Sequence, residues 1–238
     1  MPIGIIVNCC SVFAGGILGG AIGQHLPEKF KLSLPKVFGL VALAIAINLI
    51  IKVKTLSAVA LAVIFGTIIG ESINLHDQVE IFAAKIQKYI GKLTAVPSDE
   101  KKIDTGMFTS VIVLFCASGS GIYGALEEGF TGIPNTLMVK SILDFFTAII
   151  FGSTLGYSVA SISALQCVIM IALFGLSRVI LPGISPAMLA DFSSCGGLIT
   201  LGVGLNILQL TKIKIVNMIP SLLFVMTFSN LWNNIFQF

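Results

Sequence analysis

The chain has 238 residues, of which 56% are apolar and only 11% are charged. Soluble domains carry about 25% charged residues, and a chain of this length could not bury so much apolar surface and still present a polar exterior to water. The composition, with a mean hydropathy of +1.02, excludes a soluble globular domain, a disordered chain and a nucleic-acid binder. It predicts an all-α membrane protein with several transmembrane helices, for which the lipid bilayer is the first partner.

Apolar stretches of about 20 residues, the length that crosses a bilayer, follow one another along the chain. Pro182, Gly183 and Pro186 come soon after the sixth stretch, so the region Ser161–Asp191 could instead form a re-entrant hairpin, which would leave seven spans. We therefore expect a single membrane domain, residues 1–238, with about eight spans: Gly4–Gly23, Pro35–Ile51, Thr55–Asn74, Gly106–Leu126, Leu137–Ala160, Ser161–Ile180, Phe192–Leu210 and Val216–Phe236.

Charged residues concentrate in the segment 76–104, between the third and fourth spans. Within it, Val79, Phe82, Ile86 and Tyr89 recur at helical spacing, which predicts an amphipathic helix on the membrane surface followed by a polar linker. Lysines are abundant in this segment and in the first connection and scarce in the second. Because positive charge accumulates in cytoplasmic loops, these connections should be cytoplasmic and the N-terminus periplasmic.

Two internal similarities suggest a repeat, as in many membrane carriers. The segments beginning Gly39-Leu40 and Gly197-Leu198 each reach an asparagine nine residues after the glycine, Asn48 and Asn206. A second similarity relates Asn8, Ser11, Gly16 and Gly20 to Asp144, Thr147, Gly152 and Gly156 at identical spacings. With eight spans the first similarity implies an inverted repeat and the second a parallel one, so the sequence leaves the repeat's type open.

The fourth span is interrupted by small residues in the stretch Ser118-Gly119-Ser120-Gly121. Glycine and serine favour helix interiors less than alanine or leucine do, so a helix can end here at little cost. A broken helix at membrane depth is tolerated where it is buried in protein or lines a cavity, and its freed backbone groups then bind small ions or solutes. The alternative is a continuous helix whose small face packs closely.

Asp144 is the ionisable residue most deeply placed in a predicted span, and Lys140 lies one helical turn before it. An intramembrane acid usually pairs with a cation or faces a cavity, so Asp144 could couple a cation or proton. The alternative is an ion pair with Lys140 near the interface that simply anchors the helix. Glu71 is a second choice for a buried acid, and Asn48 and Asn206 could contact ligand or bond neighbouring helices. The acids near span ends should be solvated or interfacial: Glu127, Glu128 and Asp191.

No motif for an enzyme or a cofactor occurs in the chain. There is no Walker loop, HExxH, GxSxG, haem or iron–sulfur pattern. The five cysteines lie in apolar stretches without CxxC spacing, which indicates buried apolar residues and no metal site. We therefore expect neither enzymatic activity nor a bound cofactor.

Several segments resemble a known family. They are VLFCASGSGIYGALEEGFTG, KSILDFFTAIIFGSTLG, MLADFSSCGGLITLGVGLNIL and VNMIPSLL, together with the opening NCCSVFAGGILGG and the HLPEKFK loop. These resemble the uncharacterised bacterial inner-membrane proteins of the YqgA and YdfK type, a family of unknown function. The resemblance implies a polytopic protein of the bacterial cytoplasmic membrane. One departure is Ile133, where family members commonly have an acidic residue.

The leading hypothesis is a small-solute or ion transporter. Its substrate would bind at the backbone of Ser118–Gly121, with Asp144 as the coupling group and Lys140 adjusting it or meeting an anion. The alternative is a non-transporting membrane scaffold or regulator. In that case the helix in 76–104 would dock a partner, and glycines at small-xxx-small spacing would form a homo-oligomer.

Overall fold

The fold is known from a computed structural model that describes residues 1–22, 27–82, 105–116, 118–180 and 184–236, together with His25 and Lys85. Most of these residues are helical and none forms a β-strand, which confirms the all-α prediction. A 3-10 turn, Ile215–Met218, precedes the last helix. The helices are α1 (Ile3–Ile22), α2 (Glu28–Ile50), α3 (Leu56–Ser72), α4 (Leu75–Phe82), α5 (Thr105–Cys116), α6 (Gly119–Thr131), α7 (Asn135–Leu155), α8 (Ser158–Ile180), α9 (Pro186–Ile207) and α10 (Ser221–Phe236).

Within the described residues, six helical segments are long and apolar enough to cross a bilayer: α1, α2, α7, α8, α9 and the segment Ile215–Ile235, which includes nearly all of α10. Helix α3 becomes a seventh if it is counted with α4, from which it is separated by a bend of 57°. Helices α5 and α6 have only 12 and 13 residues, so each is too short to span alone. The multi-span architecture is thus confirmed, and the count of seven or eight spans stays a prediction.

Three predicted boundaries are wrong. The division between the fifth and sixth spans lies before Ala160, because Gly156 adopts a left-handed φ of +71° that ends α7 at Leu155. The second helix begins before Pro35, which lies inside α2, and the seventh begins before Phe192, because α9 starts at Pro186. Helix α8 runs unbroken from Ser158 to Ile180, so the described residues favour a spanning helix over the re-entrant alternative.

Glycines on α1 allow it to pack closely against α7. A Cβ atom at Gly15 would lie 2.4 Å from the Phe145 carbonyl oxygen, and one at Gly19 would lie 2.4 Å from that of Ile149. From Gly15 to Gly19 the contacted residue of α7 changes from Phe145 to Ile149, so α1 and α7 run parallel. Glycines of α3 likewise meet the segment before α10, where Gly70 lies against Asn217. These predicted small-residue stripes therefore make contacts within the chain, and a homo-oligomer stays a prediction.

Helices α2 and α9, which contain the first internal similarity, pack against each other in opposite directions. Gly197, near the start of the similar segment of α9, lies against Ala46 late in α2, whereas Gly204 lies against Leu43. The helices of the second similarity, α1 and α7, are parallel. Because one symmetry operation cannot give both relations, the packing leaves the predicted repeat unconfirmed.

Glu128 of α6 is buried and holds the N-terminus of α1. Its carboxylate accepts hydrogen bonds from the backbone N–H groups of Gly4 at 2.8 Å and Ile5 at 3.2 Å. A helix N-terminus has unpaired donors and a partial positive charge, and a carboxylate satisfies both. The predicted solvation of Glu128 is wrong, because the acid lies against a helix end that the sequence does not place beside it, whereas its interfacial position stays a prediction.

Asp191 of α9 is fully buried and holds the start of α3. It accepts hydrogen bonds from the backbone N–H groups of Lys54 at 2.8 Å and Thr55 at 2.7 Å, and from the Ser229 hydroxyl at 2.6 Å. Its predicted solvated position is also wrong, for the same reason. The two acids therefore tie the starts of α1 and α3 to the bundle.

Helix α4 is the described part of the predicted surface segment 76–104; residues 83–104, apart from Lys85, lie outside the described residues. Asp77 pairs with Lys214 at 3.0 Å, and this hydrogen bond raises the pKa of Lys214 above its ordinary value. His76, Asp77 and Glu80 approach one another on this exposed surface. Since Asp77 already has a cation partner, we assign no metal to them.

Candidate functional site

The predicted interruption of the fourth span is present. Helix α5 ends at Cys116 and α6 begins at Gly119, with Ser118 in an extended conformation (φ −70°, ψ 135°) as the N-cap. The Ser118 hydroxyl oxygen accepts a hydrogen bond from the N–H of Gly121 at 3.1 Å. Serine is a favoured N-cap because its oxygen satisfies a donor of the first turn. Helix α6 packs along α8 until Gly129 meets Ser177, so its N-terminus lies inside the bundle.

A cavity of about 250 Å³ opens beside this break, between α2, the α5–α6 break, α7 and α9. Apolar side chains such as Phe38, Ala42, Leu143, Phe151 and Val203 form most of its wall. The polar residues that border it are Ser118, Ser120, Lys140, Asp144, Thr147 and Thr200. Four predicted site residues, Ser118, Ser120, Lys140 and Asp144, thus share one cavity.

Lys140 and Asp144 form a buried ion pair on α7. The ammonium nitrogen Nζ lies 2.8 Å from Oδ1 and 2.6 Å from Oδ2 of the carboxylate, and the residues are 4% and 7% exposed. Gly121 of α6 makes room for the lysine, because a Cβ there would lie 2.9 Å from the Lys140 Cε. The small residues of the break therefore allow the lysine side chain to lie against the start of α6.

Two amides from other helices hold the Asp144 carboxylate. Asn8 of α1 donates from Nδ2 to Asp144 Oδ2 at 2.9 Å, and Gln166 of α8 donates from Nε2 to Asn8 Oδ1 at 2.7 Å. Gln166 Nε2 also lies 3.4 Å from Asp144 Oδ2. The sequence analysis assigned neither amide to the site, although the second similarity aligned Asn8 with Asp144 and a glutamine within an apolar helix is itself a signal.

Three predicted site residues lie elsewhere. Asn48 is exposed on α2, and Glu71 is exposed at the end of α3 instead of being a buried acid. The Asn206 amide bonds the backbone of Ile213, accepting from its N–H at 3.0 Å and donating to its carbonyl at 2.7 Å. Asn206 therefore closes the connection after α9, and none of the three borders the cavity. Gly119, the remaining predicted residue, begins α6 at the break.

A second buried polar cluster lies between α6 and α9, outside the lining of this cavity. The Tyr123 hydroxyl lies 2.8 Å from Glu127 Oε1 and 2.9 Å from Ser193 Oγ. Glu127 is buried, so its predicted solvated position is wrong. Tyr123 fills the space beside Gly196, where a Cβ would lie 2.4 Å from its ring.

The chain is similar to proteins of unknown function. The family model described as "Protein of unknown function (DUF554)" matches residues 3–230. The uncharacterized protein YqgA of Escherichia coli K12 is 42% identical, with 98% of each chain aligned. The uncharacterized membrane protein YdfK of Bacillus subtilis 168 is 27% identical, with 92% of each aligned. No solved structure matches. The chain therefore belongs to the DUF554 family of membrane-type proteins, as the resemblance predicted.

Proposed function

We propose that this protein transports a small solute or ion across the bacterial cytoplasmic membrane, with its substrate site in the cavity at the α5–α6 break. The observation that carries the proposal is the buried Lys140–Asp144 pair at the edge of a cavity that a broken helix also borders. A purely structural bundle has no need of either feature, because packed apolar side chains give equal stability at lower cost.

The helix break provides groups that can bind a solute. The first N–H groups of α6 have no carbonyl partner within the helix, and they carry the partial positive charge of its N-terminus. Irregular backbone at membrane depth occurs where it is buried in protein or lines a cavity, and carriers place their substrate sites at such breaks. Ser118 and Ser120 bring this helix end to the cavity wall.

Asp144 is the proposed coupling group, and Lys140 sets its charge state. A buried carboxylate is stable while the ammonium group neutralises it and becomes unstable when that partner is drawn away. A substrate or proton that enters the cavity therefore changes the balance of the pair. Such a change is the differential contact that a carrier needs in order to favour one conformation over another.

The proposed orientation has the N-terminus in the periplasm. The contact between Gly4 and Pro134 places the starts of α1 and α7 at the same end of the bundle. The lysine-rich first connection follows the opposite end of α1, and Lys214 pairs with Asp77 of α4, the start of the other lysine-rich segment. The excess of lysines then lies at the cytoplasmic end.

Counterflow in proteoliposomes tests the proposal. Vesicles with wild-type protein are loaded in turn with labelled monocarboxylates, amino acids, amines and alkali cations, and we expect exchange of at least one class above protein-free vesicles. Asp144→Asn should abolish proton- or cation-driven accumulation of that solute. Asp77→Asn, which alters an exposed acid of α4, should behave as wild type.

Two outcomes contradict the account. If no class exchanges above protein-free vesicles, the carrier proposal fails and the scaffold alternative gains. If Asp144→Asn accumulates solute as wild type does, Asp144 has no part in coupling.

A further inference from the structure

We propose that the cavity takes a small monocarboxylate with an apolar tail, together with one proton that is received by Asp144. This inference rests on the proposed transport function and names its substrate class and coupling ion. It follows from the unused hydrogen-bonding capacity at the ion pair, the walls of the cavity, the charge balance and the two amides behind Asp144.

At the ion pair, the group that can still form a hydrogen bond is mainly the Lys140 ammonium, which is a donor. Asp144 Oδ2 already receives Lys140 and Asn8, with Gln166 at 3.4 Å, and Oδ1 receives Lys140. An ammonium group has three N–H donors, and among the described residues the only acceptors of Lys140 Nζ are the two oxygens of Asp144. A ligand at this edge of the cavity therefore meets a positive donor that can take one more acceptor, whereas Asp144 is largely occupied.

The start of α6 adds to this preference for an anionic group. Ser118 and Ser120 border the cavity, and α6 begins beside them with its partial positive charge. Ser118 already accepts the N–H groups of Gly121 and Ile122, so the donors open to a ligand are those of Gly119 and Ser120. Lys140 lies against the same turn, near Gly121. A carboxylate, which accepts several hydrogen bonds at once, matches donors that converge from two helices.

The rest of the cavity fits an apolar tail. An engineered cavity of about 150 Å³ holds benzene. A volume of about 250 Å³ therefore corresponds to a molecule of about ten non-hydrogen atoms. Away from the polar edge the walls are side chains such as Phe38, Ala42, Leu143 and Phe151, so most of the ligand's surface would be hydrocarbon.

Charge balance requires the proton. The empty site is neutral, because the lysine cation offsets the aspartate anion. A carboxylate that binds Lys140 adds one negative charge in a membrane interior, where unpaired charge is costly. One proton from water that binds Asp144 Oδ2 restores neutrality: the substrate carboxylate pairs with the Lys140 ammonium, Asp144 is neutral, and no covalent bond of the substrate changes.

No other charged side chain among the described lining residues can take this proton. The neighbouring titratable groups on α5, α1 and α8 are the thiols of Cys116, Cys9 and Cys167. A thiol already carries its proton at neutral pH and cannot take up another. Helices α2 and α9 contribute only uncharged residues to the lining. On α6, the carboxylates Glu127 and Glu128 are held by Tyr123 and the start of α1 respectively.

Asn8 and Gln166 form a relay that suits both charge states of Asp144. In the observed arrangement Gln166 donates to Asn8, which donates to the ionised carboxylate. Rotation of both side-chain amides by about 180° exchanges their nitrogen and oxygen atoms. Protonated Asp144 Oδ2 then donates to Asn8 Oδ1, and Asn8 Nδ2 donates to Gln166 Oε1. No side chain has to move away, because the oxygen and nitrogen of each amide only exchange positions. The rotation also gives a donor to the buried Gln166 oxygen, which has no partner in the observed arrangement.

Isothermal titration calorimetry of the whole protein in nanodiscs tests this directly. The probes are isohexanoate, isohexylamine and leucine, which share a branched tail and differ in the charge of the head group. Titration in two buffers of different ionisation enthalpy gives the number of protons taken up per ligand. At pH 7 we expect isohexanoate to bind at least about tenfold more tightly than the other two, with uptake of about one proton per molecule bound.

Variants separate the site from the fold. Lys140→Met leaves an unpaired buried carboxylate that weakens the fold. The double variant Lys140→Met/Asp144→Leu removes both charges and is therefore the matched test. It should fold but not bind isohexanoate. Lys214→Met, which alters an exposed lysine, should bind as wild type. Gln166→Leu removes the end of the relay and should weaken binding by about tenfold, the equivalent of one buried hydrogen bond.

The failures of the two proposals are distinguishable. Tighter binding of isohexylamine or leucine, or isohexanoate binding without proton uptake, overturns this inference, and counterflow of another solute class would still support a carrier. Proton-linked isohexanoate binding without counterflow of any solute supports the site and overturns the transport function. Unchanged affinity and proton uptake in Gln166→Leu overturns the relay.

Discussion

The Lys140–Asp144 pair allows a quantitative test of how dry the site is. We consider the single variants Lys140→Met and Asp144→Asn and the double variant that combines them. Both residues are less than one-tenth exposed, and the ammonium lies within 2.8 Å of both carboxylate oxygens. Removal of one partner of a buried pair costs about 3–5 kcal/mol, because the other charge stays buried without compensation.

Each single variant should therefore lower the free energy of unfolding by about 3–5 kcal/mol, whereas the double variant should lower it by about 0–2 kcal/mol. The coupling energy is then at least about 4 kcal/mol. Steric-trap unfolding in bicelles measures all three values against wild type. Single losses near 1 kcal/mol with an additive double variant would refute the reasoning, since they would show that water from the cavity already solvates each charge.

Two further predictions concern contacts between helices elsewhere in the bundle. Gly19→Ala should lower the free energy of unfolding by about 1–3 kcal/mol, because the new methyl group meets the α7 backbone. Gly175→Ala, with open space around it, should be neutral or stabilising in the same steric-trap assay. Equal stability of the two variants would contradict the close packing of α1 and α7. Asp191→Ala should lower the free energy of unfolding by about 1–3 kcal/mol, because the N–H groups of Lys54 and Thr55 just before α3 lose their acceptor. Asp77→Ala on exposed α4 should change it by less than about 0.5 kcal/mol. Equal losses would contradict the role of Asp191 in holding the start of α3.

Much of the architecture was predictable because it follows from local properties of the chain. Runs of apolar residues give the helices, and small residues give the break before Gly119. Lys140 and Asp144 are one helical turn apart, so their pairing follows from the helix itself. These predictions needed no knowledge of which helices are neighbours.

The partners of the buried acids were not predictable in the same way. Asp144 meets Asn8 and Gln166, and Asp191 meets the start of α3, through contacts between residues that are far apart in the sequence. The sequence of a single chain does not tell which helices pack together, so it cannot rank such pairings. The default of placing acids near span ends in water therefore failed for Asp191 and Glu128, because helix N-termini inside the bundle accept a carboxylate as well as water does.

The two asparagines of the first internal similarity show the opposite error. Asn48 and Asn206 occupy corresponding positions in the sequence, so the same role, either contact with a ligand or a bond to a neighbouring helix, was open for both. In the structure Asn48 is exposed, whereas Asn206 bonds the connection after α9. Similar spacing in two glycine-rich helices reflects their close packing against each other, and it carries no information about a ligand.

Cysteine labelling at Ser120 tests whether, as we propose, a cavity reachable by aqueous solutes adjoins Asp144 at membrane depth. With the five native cysteines replaced by alanine, Ser120→Cys and Ala148→Cys are compared in membranes with a small, charged, water-soluble thiol reagent. Ser120 borders the cavity, whereas Ala148 is fully buried between α1 and α7. The account predicts that Ser120→Cys reacts and Ala148→Cys does not. A Ser120→Cys protein as inert as Ala148→Cys would contradict it.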